Sequence, residues 1–115
     1  MNKIRLVVNN ESKRNEKEKF FIKKELQSIL NLYAKMVSNG SWKDYSFTSG
    51  IKEVSFNVYQ RASEKPVLRI LKNLKPRYFN EKYLIKDKNG AILKKSENLN
   101  QLISKTSWNK LKLVK

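Results

Sequence analysis

Apolar and polar positions between Val54 and Leu71 alternate with the period of β-strands. Two runs of strand length flank Ala62-Ser63-Glu64-Lys65-Pro66, a polar stretch with proline at its exit, so the segment is predicted to fold back as a hairpin. Setting Arg61 opposite Val67 puts Val58 opposite Ile70 and Gln60 opposite Leu68. Phe56, Val58, Leu68 and Ile70 then share one apolar face, and Ser55, Asn57, Tyr59, Arg61, Arg69 and Leu71 share the other. A slip of one residue would set Val58 against Arg69. Upstream the period changes. Ile22, Leu26, Ile29, Leu30, Tyr33 and Val37 recur at helical spacing, with Lys23, Lys24, Gln27, Asn31 and Lys35 opposite them, which predicts an amphipathic helix over 22–38. Ser38-Asn39-Gly40 is its stop, with Asn39 or Gly40 suited to the left-handed conformation. A basic amphipathic helix can lie on a membrane, but four turns beside strands that need a cover favour a place over the sheet.

The remaining stretches extend this plan. Tyr45–Thr48 reads as a short strand turned at Ser49-Gly50, and Lys72–Arg77 as a basic loop or edge segment closed by Pro76. Asn89-Gly90 between Lys82–Lys88 and Ala91–Lys95 predicts a second hairpin. A three-residue loop with Gly90 left-handed would place Ile85 opposite Leu93, whereas a two-residue loop would place it opposite Lys94. We favour the former. Asn98 and Gln101 have the spacing of a capping box ahead of a short helix to about Ser104. Ile4–Val8 is a candidate edge strand, and Leu111 and Leu113 alternate with lysines in a candidate last strand. The fold class is thus α+β: one long amphipathic helix packed on an antiparallel meander of four or five strands, with a short C-terminal helix. Residues 1–19 are expected to be a polar, flexible N-terminal segment, and residues 20–115 a single α+β domain.

Composition narrows the function classes. The 115 residues contain neither cysteine nor histidine, which removes disulfides, the usual zinc sites and any catalysis needing a thiolate or imidazole. No metal or cofactor site is expected. Three glycines in all leave no room for a Gly-rich phosphate loop. No apolar run is long enough to span a bilayer or to serve as a signal peptide, so a soluble, cytoplasmic protein is expected. The formal net charge of +16 favours polyanions such as RNA, DNA or an anionic membrane face. The same lysine-rich composition is also what an AT-rich genome writes at neutral surface positions.

Several stretches resemble a family of unknown function found mainly in alphaproteobacteria. The resemblance rests on Glu25-Leu26, Ile29-Leu30 and Tyr33, and on Val37 to Tyr45 as V-x-x-G-x-W-K-D-Y. It continues through Phe56-x-Val58 with Arg61-Ala62-Ser63-Glu64-x-Pro66, then Arg69-Ile70, and Gly90-x-Ile92-Leu93-Lys94. It covers about residues 20 to 115. Where the family usually carries two arginines this chain has Gln60-Arg61, and where it ends its last motif in Arg-Gly this chain has Lys95-Ser96. The resemblance implies a single-domain bacterial protein and no particular activity.

Three functions compete. The first is a non-catalytic module that binds RNA or another polyanion through the sheet face of Tyr59, Arg61 and Arg69, beside Lys72, Lys75, Arg77 and Tyr78. Against it stands a purely structural role in which Arg61 and Arg69 pair with Glu64 and Asp44. The second is a protein-interaction domain docking a partner on Trp42, Tyr45 and Tyr59, and exposure of Trp42 discriminates it. Directly after the helix stop, Trp42 is expected to pack under the helix end, with Asp44 accepting hydrogen bonds or pairing with a base, and a pocket wall is the functional alternative. The third is an enzyme, for which Asp44, Glu53, Glu64 and Asp87 are the available carboxylates. None of them shares an element at a spacing suited to acid–base chemistry. The oligomeric state is not legible in the sequence.

Overall fold

The structure, a computed structural model, describes residues 19–61 and 65–108. The expected strands at Ile4–Val8 and Leu111/Leu113, and Ala62–Glu64 of the hairpin loop, lie outside the described residues. Helix α1 (Lys23–Ser38) precedes strands β1 (Asp44–Ser49), β2 (Glu53–Tyr59) and β3 (Leu68–Asn73). A 3-10 turn (Phe79–Glu81), β4 (Tyr83–Asp87), β5 (Ile92–Ser96) and helix α2 (Leu99–Lys105) follow. The strands form one antiparallel sheet in the order β1-β2-β3-β4-β5, each paired with its sequence neighbour. The expected α+β meander under one long helix is the observed architecture.

Pleating sorts the side chains onto two faces. Tyr45, Phe47, Val54, Phe56, Val58, Leu68, Ile70, Lys72, Tyr83 and Ile85 fall on the core face. There Phe56, Val58, Leu68 and Ile70 join Ile29, Leu32 and Met36 of α1 and Leu99 and Leu102 of α2 in one buried cluster, with Leu26 and Tyr33 packed against it. The aromatic rings of Phe20, Phe47, Phe56, Tyr45 and Tyr33 run along this cluster in mostly edge-on contacts, with neighbouring centroids 4.8 to 6.0 Å apart.

Three local expectations need correction. The buried line of α1 is Glu25, Ile29, Leu32 and Met36, rotated from the predicted stripe, so that Ile22, Leu30 and Val37 are exposed. Both stripes have helical spacing, and the observed one carries the buried Glu25. The first hairpin pairs Val58 with Leu68 and Phe56 with Ile70, two residues from the predicted register. A two-residue shift preserves the pleat, which is why the division of side chains between faces survives it. In the second hairpin, Gly90 donates to Asp87 (3.0 Å) and Asp87 to Ala91 (2.9 Å), closing the predicted three-residue loop. Ile85 nevertheless faces Lys94, not Leu93, because a bulge between Ile85 and Lys86 takes up one residue of β5.

The stops and caps follow local chemistry. Gly40 ends α1 at φ +85°, and its N–H donates to the Val37 carbonyl (3.0 Å). Asn98 caps α2 by accepting from the Gln101 N–H (2.9 Å). The N–H of Asn98 is held by Ser96 Oγ (3.0 Å), the place a capping box would give to Gln101. No helix among the described residues is long and apolar enough to cross a membrane.

Gly90 sits at φ +86° with nothing within 4 Å of where a Cβ would stand, so only the backbone penalises a side chain there. Gly90→Ala is expected to cost about 1 kcal/mol, measured by urea denaturation, and Gly90→Asn to cost less.

Candidate functional site

The residues singled out from the sequence do not form one surface. Lys72 follows Leu68 and Ile70 at the strand period, so its side chain enters the core, where it is 1% exposed. Its ammonium donates to Glu25 Oε1 (2.8 Å) and to the Phe20 carbonyl (3.0 Å). The same Glu25 carboxylate accepts the Ile22 N–H on Oε1 (2.8 Å) and the Tyr83 hydroxyl on Oε2. Glu25 thereby ties α1 to its own start, to β3 and to β4. A cleft of about 180 Å³ reaches Glu25 and Tyr83 past Glu97 and Asn98. With both carboxylate oxygens occupied, however, the group is built as a structural tie and not as a general base. Lys72 is withdrawn from the set of ligand-binding cations.

Trp42 is 5% exposed and packs edge-on to Trp108 with ring centroids 5.8 Å apart. Of the two readings of this residue, packing under the helix end is the one realised. Tyr45 is on the core face and Tyr59 on the outer face, since Tyr45 pairs with Val58 and Asp44 with Tyr59. Trp42, Tyr45 and Tyr59 therefore present no common docking surface. Asp44 is exposed and accepts the N–H of Tyr45 (2.8 Å) in place of a basic partner. Nearby, the Tyr33 hydroxyl pKa is raised above 10.0 by burial first, then by Asp44 and Tyr45. An acid whose folded pKa is raised contributes stability that is complete below its unfolded pKa. This contribution is lost as pH climbs through the folded value, here in the alkaline range.

The outer face is a polar network around Asn57. Its amide donates to Ser46 Oγ (3.1 Å) and Thr48 Oγ1 (3.0 Å), and its carbonyl accepts from Ser55 Oγ (2.8 Å) and Arg69 Nε (3.2 Å). Ser46 Oγ and the Tyr59 hydroxyl share a hydrogen bond of 2.9 Å. The centre of this face is closed, because Ser55, Asn57, Leu71 and Leu84 are all buried. A broad open platform is thus not what the sheet offers. What stays accessible is one end: exposed Arg61 with half-buried Tyr59, Arg69 and Lys86. Arg69 and Lys86 stand directly opposite each other on neighbouring strands. Lys75 and Arg77 are exposed on the β3–β4 connection, at the other end of the strands.

Sequence reasoning missed the Glu25–Lys72–Tyr83 tie. Its signal was a charged residue at a core position of each partner element, Glu25 in the helical line with Ile29 and Lys72 in the strand line with Ile70. Among the described residues, no group of His, Cys, Asp or Glu side chains could hold a metal ion. The larger groove, about 740 Å³ between α1 and α2, is lined by Asn31, Lys35, Met36, Ile103 and Trp108 among others, with no carboxylate.

Lys72→Met strands a buried carboxylate and is expected to destabilise the fold by about 3–5 kcal/mol. Combining it with Glu25→Leu is expected to recover most of that loss in urea denaturation.

Residues 19–103 match a family model described as "Protein of unknown function (DUF2794)", in agreement with the resemblance to a domain family of unknown function. No curated protein and no solved structure matches the chain.

Proposed function

The chain belongs to the DUF2794 family, a membership that brings no activity with it, and we propose that it is a non-catalytic module binding a polyanion, single-stranded RNA, through the Arg69 end of its outer sheet face. The observation that carries this reading is the Arg69–Lys86 pair. Like charges directly opposite on adjacent strands repel, and a phosphate between them removes the repulsion. Arg69 is anchored through Nε to Asn57, and its two terminal nitrogens have no partner among the described residues. A guanidinium fixed at one edge and open at the other is preorganised for a phosphate oxygen pair. Tyr59, its hydroxyl shared with Ser46, adds a ring on which a base can stack, and Arg61 extends the positive rim. The net charge of +16 supplies long-range attraction for the same class of ligand. Burial of Trp42 removes the main support for the protein-docking alternative.

The test uses the full chain and a fluorescent oligouridine over a range of salt. With contacts from Arg61, Arg69 and Lys86, log affinity is expected to fall with log salt at a slope of roughly −2, at about −0.7 per phosphate. Arg69→Ala is expected to weaken binding and make the slope shallower by about 0.7. Tyr59→Ala is expected to weaken binding by about 1–3 kcal/mol at an unchanged slope. Replacing Lys24 and Lys35, on the exposed side of α1, should do neither. Equal losses from the helix lysines would reduce the interaction to diffuse attraction and overturn the site.

A further inference from the structure

A second surface, independent of the Arg69 site, lies at the opposite end of the sheet. In a meander, the β1–β2 turn and the β3–β4 connection emerge side by side, and here the Leu74 N–H donates to the Lys52 carbonyl (2.8 Å) between them. The most exposed large hydrophobic side chains among the described residues are Ile51 at 87%, Phe79 at 80% and Tyr78 at 59%, all on these two connections. None belongs to the core cluster.

The loop that carries the two aromatic residues is fixed. Asn73 donates from its backbone to the Lys82 carbonyl (2.7 Å) and from its amide to the Glu81 carbonyl (2.6 Å). The Tyr78 carbonyl accepts from Glu81 (2.9 Å) and the Phe79 carbonyl from Lys82 (3.1 Å), which closes the 3-10 turn. The backbone thus holds Tyr78 and Phe79 outward with little ordering entropy left to lose on binding. Around them stand Lys52, Lys75 and Arg77, all exposed, and Lys82, whose ammonium lies over the Tyr83 ring at 5.5 Å. Of the nearby carboxylates, Glu81 faces Lys95 (3.6 Å) and Glu53 is half-buried at the start of β2.

Apolar tips ringed by cations match the two layers of an anionic bilayer surface, acyl chains within reach of the tips and phosphates at the level of the cations. A tyrosine and a phenylalanine suit the headgroup boundary. Nucleic acid fits less well, because the most exposed member, Ile51, has no π-face to stack on a base. We propose that this end of the sheet docks the protein peripherally on membranes carrying anionic lipids, with Ile51, Tyr78 and Phe79 inserted and Lys52, Lys75, Arg77 and Lys82 against the headgroups.

The full chain is tested by flotation with phosphatidylcholine vesicles, with and without phosphatidylserine, and in parallel with oligouridine. Binding is expected to the phosphatidylserine vesicles and to be much weaker to phosphatidylcholine alone. Ile51→Ser and Phe79→Ser are each expected to lower vesicle affinity roughly tenfold, and Arg77→Ala roughly fivefold, with oligouridine affinity unchanged for Ile51→Ser. Circular dichroism of each variant checks that it folds. Arg69→Ala is expected to leave vesicle binding intact, so failure of the RNA reading and failure of this one are separately visible. Absence of vesicle binding at low salt, or binding that ignores both Ile51→Ser and Phe79→Ser, overturns the proposal. So does an equal loss of oligouridine and vesicle affinity in the Ile51→Ser variant, which would make this end part of a nucleic-acid contact.

Discussion

The fold depends on a charge that has been taken out of water. An ammonium in the core needs compensation, and for Lys72 the covering helix contributes the Glu25 carboxylate. Glu25 meets the requirement only if α1 turns its 25–29–32–36 line to the sheet and begins at Ile22, whose N–H the same carboxylate accepts. The rotation of the helix and its starting point are both matched to this one carboxylate, which also reaches β3 and β4. Apolar packing contributes from the flank of this line, where Leu26 and Tyr33 rest against the core cluster while Leu30 and Val37 stay exposed. The ionic tie selects the arrangement that the surrounding aromatic rings then fill.

This explains where the sequence was legible and where it was not. Strand alternation is a property of single positions, so the core face of Phe56, Val58, Leu68 and Ile70 could be read directly, and so could the turn at Gly90. Register is a relation between strands. It was read from loop length, yet Val58 pairs with Leu68, leaving a longer connection than the shortest closure would need. The Ile85 bulge likewise has no local marker in the sequence. Lys72 opens a basic stretch closed by Pro76, and by composition that stretch reads as a loop or edge segment. Only Glu25 at a matching position on the helix makes a core lysine reasonable, and such pairings between distant elements are not periodic signals.

The candidate sites obeyed the same division. Tyr59 and Arg69 were correctly grouped on one face by parity, and the sheet brings Lys86 to them across a strand boundary. What parity could not convey was that the middle of that face is filled by the Asn57 network and by Leu71. Nor could it convey that Lys75 and Arg77 belong with Ile51, a residue more than twenty positions away and joined to them by the Leu74–Lys52 hydrogen bond.

The bulge in the second hairpin has an effect beyond local pairing. β5 is last in the strand order, and no strand among the described residues covers its outer flank, so its backbone is the natural place for another chain to add on. The irregularity twists that flank away from a straight template, and the exposed Lys94 puts like charge where an identical strand would approach. A domain that exposes isoleucine, tyrosine and phenylalanine at one end thus carries, along its side, features that disfavour growth into a fibre.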